Sequence, residues 1–267
     1  MEQISSASYD WLALQGQVCV VTGGGGGIGE EAARELARAG ALVAVLDMNG
    51  ENAEKVASDI SDLGGQAIGR RVDISSMDQV NAAALEVTRA FGPCDVLVNN
   101  AATQLTGPLL DIGLHEWQRA IDVNLTGALV CTKGFSAGMM HNHRGSIINV
   151  ASICSFFPRP NGGAYSASKA GLSMISAQMA VEFADHNVRC NAVAPGFVKT
   201  PLSAKNYATP EAEKKRADMV PSRRIGLPQD LANVIAFLAS ARSDYVNGQT
   251  ILVDGGLGQS LMALVGR

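Results

Sequence analysis

Hydrophobic residues follow two alternating patterns along the chain, and together these patterns predict its secondary structure. Short apolar runs rich in β-branched residues are typical of strands that are buried on both faces. Seven such runs predict strands at residues 18–22, 42–47, 67–72, 96–99, 146–150, 189–193 and 250–253. Between them, apolar residues spaced three and four apart predict amphipathic helices at residues 28–39, 51–63, 77–91, 117–140, 164–183 and 229–239.

The alternation of strand and helix predicts a doubly wound α/β fold, a seven-stranded parallel sheet with helices on both faces. Parallel strands need helical crossovers, and their apolar runs must be covered twice. We expect a single domain over residues 1–267, with a short N-terminal extension at 1–14 and a C-terminal tail at 257–267. Residues 200–224 interrupt the alternation of strand and helix with many charges and a helical middle. We expect this segment to be a substrate lid, because loops at the carboxyl ends of the strands border the ligand. A surface loop without a functional role is the alternative.

Charge and cysteine content exclude several classes of function. The net charge of −4 leaves no excess of positive charge to bind the phosphates of a nucleic acid. No apolar run approaches the length of a membrane helix. The basic group at 214–216 is balanced by nearby glutamates, and we interpret it as a solvated helix face. The five cysteines are scattered without a C-x-x-C pair, and residues 1–14 lack the features of a signal peptide. We therefore expect a cytoplasmic protein with reduced thiols and no metal.

A glycine-rich loop from Thr22 to Gly29 joins the first predicted strand to the first predicted helix. Residues without Cβ atoms let the backbone turn tightly and bring its N–H groups close to a diphosphate, and the helix N-terminus adds partial positive charge. We therefore expect Gly23, Gly27, Ile28 and Gly29 to bind the diphosphate of a dinucleotide.

Asp47 ends the second predicted strand, where a carboxylate can accept hydrogen bonds from both hydroxyls of an adenosine ribose. The same charge repels the 2′-phosphate of NADP, and the neighbouring Met48 offers that phosphate no cation. The sequence therefore predicts NAD as the cofactor, with Asp47 and Met48 beside its ribose. Capping of the helix that begins near Glu51 is an alternative role for Asp47.

The third and fourth predicted strands also end in residues suited to a nucleotide. Asp73 and Ile74 can place a carboxylate and an apolar side chain beside the adenine; a cap for the helix at Met77 is the alternative. Asn100 and Ala101 combine an amide with a small side chain, so a nucleotide can lie against the backbone at this point.

Tyr165 and Lys169 are four residues apart in a predicted helix and therefore project from the same face. A lysine ammonium in that position stabilises a phenolate and lowers the pKa of the tyrosine towards the working range. Ser152 follows the fifth predicted strand, where its hydroxyl can hydrogen-bond a reacting oxygen. This constellation predicts an enzyme that moves hydride between a nicotinamide and an alcohol or carbonyl.

From Leu14 to about Gly256 the chain resembles the short-chain dehydrogenase/reductase family in its single-domain form, which implies a Rossmann fold. The motifs that carry the resemblance are Thr-Gly-x-x-x-Gly-Ile-Gly at 22–29, Asn-Asn-Ala at 99–101, Asn124, Ser152, Tyr-x-x-x-Lys at 165–169 and Pro195-Gly196. Two departures remove no chemical group: residues 24–26 are all glycine, and Ala102 stands where the family often has glycine.

The resemblance also implies a role for each of these residues. Tyr165 exchanges the proton, Lys169 tunes it and binds the nicotinamide ribose, and Ser152 orients the substrate oxygen. Asn124 holds a water in a proton relay, stabilises a helix kink, or does both. The remaining contacts implied for the nicotinamide end of the cofactor come from Pro195, Gly196, Val198 and Thr200.

The predicted substrate pocket mixes polar and apolar residues. With Ser152 and Tyr165, we expect Cys154, Arg159 and Asn161 to contact the substrate. Polar members can bind hydroxyls or an anionic group and apolar ones can hold a ring, so a polyol and a hydrophobic secondary alcohol both remain open. A resemblance to the sugar and polyol dehydrogenases of the family favours a polyol or aldose.

A 3-oxoacyl-thioester reductase and a nucleotide-sensing scaffold are the alternatives to an NAD-dependent dehydrogenase. A 3-oxoacyl-thioester reductase is disfavoured by Asp47, because such enzymes usually take NADPH. A nucleotide-sensing scaffold is disfavoured because all four catalytic positions hold competent residues. Family members are commonly tetramers, so the resemblance implies a homotetramer, and we expect the apolar tail at 257–267 to pack across a subunit boundary.

Overall fold

The computed structural model describes residues 11–260, and its centre is one sheet of seven parallel strands. In chain order the strands are β1 Val18–Thr22, β2 Leu42–Asp47, β3 Gln66–Arg71, β4 Val96–Asn99, β5 Gly145–Val150, β6 Val188–Pro195 and β7 Thr250–Val253. Their spatial order is β3-β2-β1-β4-β5-β6-β7. The predicted fold class, a doubly wound α/β fold with seven parallel strands, is confirmed.

Burial on both faces explains why these runs form strands. Every residue of β1, β4 and β6 is buried. Most of their apolar side chains belong to two clusters, one containing Val21 and Ile235 and the other containing Leu97, Phe135 and Met179. Because apolar side chains are buried on both faces of the sheet, the strand sequences are continuous hydrophobic runs.

The α-helices that cover the sheet within the described residues are α1 Gly27–Arg38, α2 Gly50–Asp62, α3 Met77–Phe91, α4 Leu114–Ile121, α5 Gly127–Phe135, α6 Ala137–Asn142, α7 Tyr165–Glu182, α8 Pro210–Met219 and α9 Pro228–Ala239. Helices α1 and α9 pack together on one face of the sheet, and α3 and α5 pack together on the other. The strand order reverses between β1 and β4, which opens a crevice at the carboxyl ends of these strands.

The helix predicted at 117–140 is divided in the structure. A π-helical turn over Asp122–Thr126 separates α4 from α5, and α6 follows after Ser136. Asn124 lies in the π turn, where its Oδ1 accepts the N–H of Thr103 at 2.7 Å and its Nδ2 donates to the carbonyl of Thr103 at 3.0 Å. Short π segments of this kind are frequent at functional sites. The turn ties this helical stretch to the loop that follows β4.

Residues 200–224 contain the predicted helical middle. A 3₁₀ helix over Pro201–Tyr207 leads into α8, with Thr200 and Thr209 as the respective N-caps. Residues 1–10 of the predicted extension and 261–267 of the predicted tail lie outside the described residues. The domain boundaries and the packing of the tail therefore stay predictions.

Within residues 11–260, no helix is both long and apolar enough to cross a membrane. All five cysteines fall in this part of the chain, and none of them is in a disulfide. The same residues contain no group of three or more His, Cys, Asp or Glu side chains that could hold a metal ion.

Asn149 of β5 is a buried amide that joins three elements. Its Oδ1 accepts a hydrogen bond from Nδ2 of Asn99 in β4 at 2.8 Å, and its Nδ2 donates to Oγ of Ser176 in α7 at 2.8 Å. A buried polar group left without a partner costs about 1–3 kcal/mol. The pairing therefore favours one alignment of β4, β5 and α7.

We predict that Asn149→Ala lowers the free energy of unfolding by about 2 kcal/mol, because it removes two buried hydrogen bonds and takes the 2.8 Å acceptor away from the amide of Asn99. Guanidinium denaturation measures the change. Asn81→Ala, on the exposed side of α3, is the matched control and should change the free energy by less than about 0.5 kcal/mol. An equal loss in both variants would contradict this role for Asn149.

Candidate active site

The glycine loop after β1 adopts a turn that small residues permit. Gly23 and Gly27 have φ angles of 62° and 58°, in the left-handed region that favours glycine. A Cβ atom on Gly29 would collide with the carbonyl of Gly23 and with Nδ2 of Asn100. Within residues 11–260 no side chain caps the N-terminus of α1. The first N–H groups of that helix are therefore available to an anion.

Asp47, at the end of β2, braces this loop. Its Oδ2 accepts the N–H of Gly25 at 3.0 Å, and its Oδ1 accepts the N–H of Asn49 at 2.9 Å. Helix α2 is capped by Asn49, whose side chain accepts the N–H of Asn52, so Asp47 does not cap that helix. The bond to Gly25 could not be read from the sequence, because it exists only once the loop folds back past β2.

Asn100 joins the end of β4 to the end of β1. Its Nδ2 donates to the carbonyls of Thr22 at 3.0 Å and Gly23 at 2.9 Å. The N–H of Ala101 donates to Oγ1 of Thr22 at 3.2 Å. These bonds fix the glycine loop to the segment that begins with Asn100, directly after β4.

Asp73 and Ile74 follow β3 at the same carboxyl edge of the sheet. Oδ1 of Asp73 accepts the N–H of Ser75 at 2.9 Å and its hydroxyl at 2.6 Å, and Ile74 is buried. Ser76 caps α3. The alternative capping role considered for Asp73 is therefore performed by Ser76.

Lys169 is a buried cation beneath Tyr165. Only 2% of its surface is exposed, and its Nζ lies 5.9 Å from the centroid of the Tyr165 ring. The same Nζ donates to the carbonyl of Val150, the last residue of β5, at 2.7 Å. Burial lowers the pKa of Lys169 from 10.5 to about 8. The predicted projection of both side chains from one helix face agrees with this geometry.

Tyr165 begins α7 and is itself in a largely desolvated position. Burial raises its pKa, and the interactions with Ser152 and Gln104 act in the opposite direction without reversing the shift. The pKa of Tyr165 is therefore raised, whereas the spacing to Lys169 led us to expect a lowered one, because desolvation of the phenolate was left out of that expectation.

Ser152 and Asn124 complete the group around Tyr165. Ser152 is buried and lies two residues after the end of β5. Its Oγ accepts the N–H of Cys154 at 3.1 Å. Nδ2 of Asn124 donates to Oγ of Ser168 at 3.1 Å, in the helical turn that also holds Tyr165 and Lys169. The π turn is thus bonded directly to the first turn of α7.

Ser152, Tyr165 and Lys169 line a cavity of about 840 Å³, and Asn124 does not. The predicted site residues that line it are Ile28, Asn100, Ser152, Cys154, Arg159, Tyr165, Lys169, Pro195, Gly196, Val198 and Thr200. The other predicted residues on β1 to β4 and their loops lie along the carboxyl edge beside it. Asn161 is exposed and does not line the cavity, and its contact with substrate stays a prediction.

One wall of this cavity comes from residues 200–224, where a substrate lid was expected, but its α8 residues were not among the predicted site residues. Lys215, Arg216 and Met219 of α8 line it, together with residues of the preceding 3₁₀ helix. Lys214 and Lys215 are both exposed, as expected for a solvated helix face, but Lys215 also lines the cavity. Lys214 does not line it, and its Nζ pairs with Asp218 at 2.6 Å. Arg216 is half-buried and lines the cavity.

Comparison with known proteins identifies related sites. A family model described as enoyl-(acyl carrier protein) reductase matches residues 23–258. The 3β-hydroxysteroid dehydrogenase 1 of Eggerthella lenta is 37% identical over 91% of this chain and 94% of its own, and a 3-oxoacyl-[acyl-carrier-protein] reductase of Thermotoga maritima is 36% identical over 92% and 99%. The crystal structure of a gluconate 5-dehydrogenase from Burkholderia cenocepacia J2315, in complex with NADP and tartrate, has a TM-score of 0.90 and 34% identity over 96% of this chain and 100% of that one.

A parallel sheet with a glycine loop at its switch point, beside a Ser-Tyr-Lys group, defines a dinucleotide-binding oxidoreductase. The chain belongs to the short-chain dehydrogenase/reductase family. It is an oxidoreductase that acts on hydroxyl or carbonyl substrates, and its family binds a nicotinamide dinucleotide. These relatives are named for a hydroxysteroid, a 3-oxoacyl-[acyl-carrier-protein] and gluconate, so membership of the family does not fix the substrate class.

We predict that Gly29→Ala weakens NADH binding by roughly tenfold or more, because the new methyl group displaces the Gly23 carbonyl and Asn100 from their bonded positions. Gly26→Ala is the matched control. A Cβ at Gly26 meets nothing within 4 Å, and its φ of −176° suits any residue. Fluorescence titration with NADH measures both. Equal affinities for the two variants would show that the loop is not the binding site.

We predict that Lys169→Met stabilises the cofactor-free protein at pH 7 by on the order of 1 kcal/mol, because a buried ammonium is costly and the loss of its bond to Val150 offsets only part of the gain. Below pH 8 the lysine is charged in both states, so its burial cost is fully present. Between about 8 and 10.5 the folded state loses the proton first, and wild-type stability rises with pH relative to the variant.

Each pH unit above 8 adds up to about 1.4 kcal/mol to wild-type stability, so the gain should be lost by about pH 9 and should reverse as the pH approaches 10.5. Guanidinium denaturation at several pH values measures it, with Lys214→Met as the exposed control. A difference between Lys169→Met and wild type that is constant with pH would contradict the lowered pKa.

Proposed function

We propose that the protein is an NAD-dependent dehydrogenase that interconverts an alcohol and a carbonyl by hydride transfer, with Tyr165 as the acid–base residue. The observation that carries the proposal is the placement of Tyr165 and Ser152 on one cavity with the buried Nζ of Lys169 within 5.9 Å of the tyrosine ring. The same cavity reaches Ile28 in the glycine loop. Acid–base chemistry and dinucleotide binding are therefore adjacent.

The residues present fit a nicotinamide dinucleotide. The glycine loop has no Cβ where the backbone must approach a diphosphate, and the uncapped N-terminus of α1 favours its charge. Asp47, Met48, Asp73 and Ile74 are proposed to hold the adenosine half. Next to Tyr165 and Lys169, the residues proposed to hold the other half are Asn100, Ala101, Pro195, Gly196, Val198 and Thr200.

When bound there, the oxidised nicotinamide supplies a hydride acceptor and a positive charge. In the direction of oxidation, Oη of Tyr165 accepts the proton of the substrate hydroxyl while Oγ of Ser152 donates a hydrogen bond to the same oxygen. The ammonium of Lys169 lies 5.9 Å from the centre of the ring, where its positive charge favours the phenolate. In the direction of reduction the same proton returns to the carbonyl oxygen.

Asn124 is proposed to act through its main chain. Both ends of its side-chain amide are engaged, with Thr103 and Ser168. The relay water that the family resemblance implies is therefore assigned to the carbonyl of Asn124, whose position the side-chain bonds fix.

The preference for NAD over NADP is part of the proposal, and the charge of Asp47 supports it. Both of its oxygens already accept loop N–H groups, so the carboxylate is held in place at the end of β2. A 2′-phosphate beside it would meet a fixed negative charge. The gluconate 5-dehydrogenase neighbour was crystallised with NADP, so this preference needs its own test.

A sugar, polyol or other secondary alcohol is the proposed substrate. Structural similarity to a gluconate 5-dehydrogenase supports the polyol, and the steroid and 3-oxoacyl relatives support a hydrophobic ketone or a 3-oxoacyl thioester as the alternative. A homotetramer remains the proposed assembly. The free cysteines support the proposal of a cytoplasmic location.

We predict that Tyr165→Phe lowers kcat by roughly 10³-fold while NADH binding changes little, because only the proton-transferring oxygen is removed. Tyr245→Phe is the control, since Tyr245 is fully exposed and far in sequence from the site. Steady-state rates and NADH titration measure the two effects. Full activity in Tyr165→Phe would exclude this residue as the acid–base group.

We predict that wild type has a higher kcat/KM with NAD than with NADP, and that Asp47→Asn with Met48→Arg shifts the ratio towards NADP by roughly 100-fold. The asparagine keeps an acceptor oxygen for the loop but loses the charge. Met48→Arg alone serves as the control and should shift the ratio less, because Asp47 still repels the phosphate. A wild-type preference for NADP would overturn the assignment.

A further inference from the structure

The cavity beside Tyr165 is strongly unbalanced in charge. Among the residues 11–260 that line it, four are cationic and none carries a carboxylate. The four cations are Lys169, Arg159, Lys215 and Arg216. Lys169 is committed to the carbonyl of Val150 and to Tyr165. The other three have no carboxylate partner within 4.0 Å in the described part of the chain.

The ion pairs of helix α8 explain why Lys215 and Arg216 have no carboxylate partner. Glu213 pairs with Lys199 at 2.8 Å and Asp218 pairs with Lys214 at 2.6 Å. Glu211 bonds within its own N-terminal turn, to Thr209 and the backbone. Each acid of α8 is therefore engaged with a partner outside the cavity, and its two remaining cations face the cavity without neutralisation.

The positions of Arg216 and Arg159 place this charge on two walls of the cavity. The guanidinium of Arg216 lies over the ring of Tyr207, 5.8 Å from its centroid, and Tyr207 is itself almost buried. Arg216 is half-buried, and its one hydrogen bond within the described residues goes to the carbonyl of Ala212 at 3.4 Å. Arg159 comes from the segment between β5 and α7, close enough to Tyr165 to act on its charge.

We propose that the physiological substrate is an organic anion, and that Arg159, Lys215 and Arg216 bind its carboxylate or phosphate while Tyr165 and Ser152 bind the reacting oxygen. This inference rests on the proposed function and narrows its substrate class. Arg159 and Lys215 are exposed and Arg216 is half-buried, so all three can meet an anion that enters the cavity from solvent. Unpaired cations on the walls of one cavity attract an anion and orient it, since an arginine fork matches the geometry of carboxylate and phosphate. The apolar residues Ile153, Phe157 and Leu202 complete the wall and contact the carbon skeleton.

The diphosphate of the cofactor is a rival partner for these cations. The glycine loop and the N-terminus of α1 already form an anion site at the end of β1. Arg159 and α8 belong to later segments, on the side of the cavity formed by the regions after β5 and β6. The cations therefore supply a second anion site, and the rival is tested by measuring cofactor affinity in the same variants.

The test uses the full chain and pairs of alcohols that differ in charge. The pairs are D-gluconate with sorbitol, L-tartrate with threitol, and a hydroxysteroid carboxylate with a neutral hydroxysteroid. Calorimetry measures binding of each to the enzyme–NADH complex, and steady-state assays with NAD measure kcat/KM. The polyol and steroid pairs distinguish a small sugar acid from a large apolar anion as the source of the charge.

In wild type, at least one anion should bind and turn over better than its neutral partner. Arg216→Gln and Lys215→Gln should each lower kcat/KM for that anion by roughly 10- to 100-fold and leave the neutral partner within about twofold. Lys214→Gln is the matched control on the same helix, because its partner is Asp218. Affinity for NADH should not change in any of the three.

Each other outcome separates the two proposals. Turnover of neutral alcohols without any preference for anions would overturn the anion site and leave the dehydrogenase intact. Loss of NADH affinity in Arg216→Gln and Lys215→Gln would assign the cations to the cofactor instead. Binding of an anion that depends on Arg216, with no turnover of any alcohol, would support the anion site and contradict the proposed function.

Discussion

The reversal of strand order between β1 and β4 is the constraint on which the site depends. Because all seven strands are parallel, their carboxyl ends meet at one edge, and the reversal leaves a crevice there. Asn100 bonds to the backbone of Thr22 and Gly23 across this point and fixes the glycine loop. Lys169 bonds to the end of β5 and places Tyr165 at the same edge. Cofactor site and reactive group are thus set by one feature of the sheet.

Charge then distinguishes the two ends of this crevice. At the β2 end, Asp47 is a fixed carboxylate held by loop N–H groups. At the other end, Arg159 and Arg216 are cations without a carboxylate partner in the described residues. The carboxylate of Asp47 is suited to ribose hydroxyls and repels a phosphate. The cations Arg159 and Arg216 attract a phosphate. Such an arrangement favours one direction of binding for a cofactor and an anionic substrate.

Local signals in the sequence predicted what depends on local structure. The seven strands could be predicted from apolar runs such as 18–22, and the shared helix face of Tyr165 and Lys169 from their spacing. Features that depend on distant partners could not. The π turn at Asn124 requires Thr103 and Ser168, and the free charge of Arg216 emerges only when Glu213 pairs with Lys199. The raised pKa of Tyr165 likewise follows from burial that no motif reports.

The central claim is that this cavity carries out NAD-dependent hydride transfer on an alcohol. Wild-type protein incubated with NAD and the charged and neutral alcohols, and followed by the absorbance of the reduced nicotinamide, tests it most directly. We expect reduced cofactor to accumulate with NAD and an anionic alcohol. Tight binding of NADH, with no reduced cofactor formed from NAD or NADP by any alcohol of the panel, would contradict it.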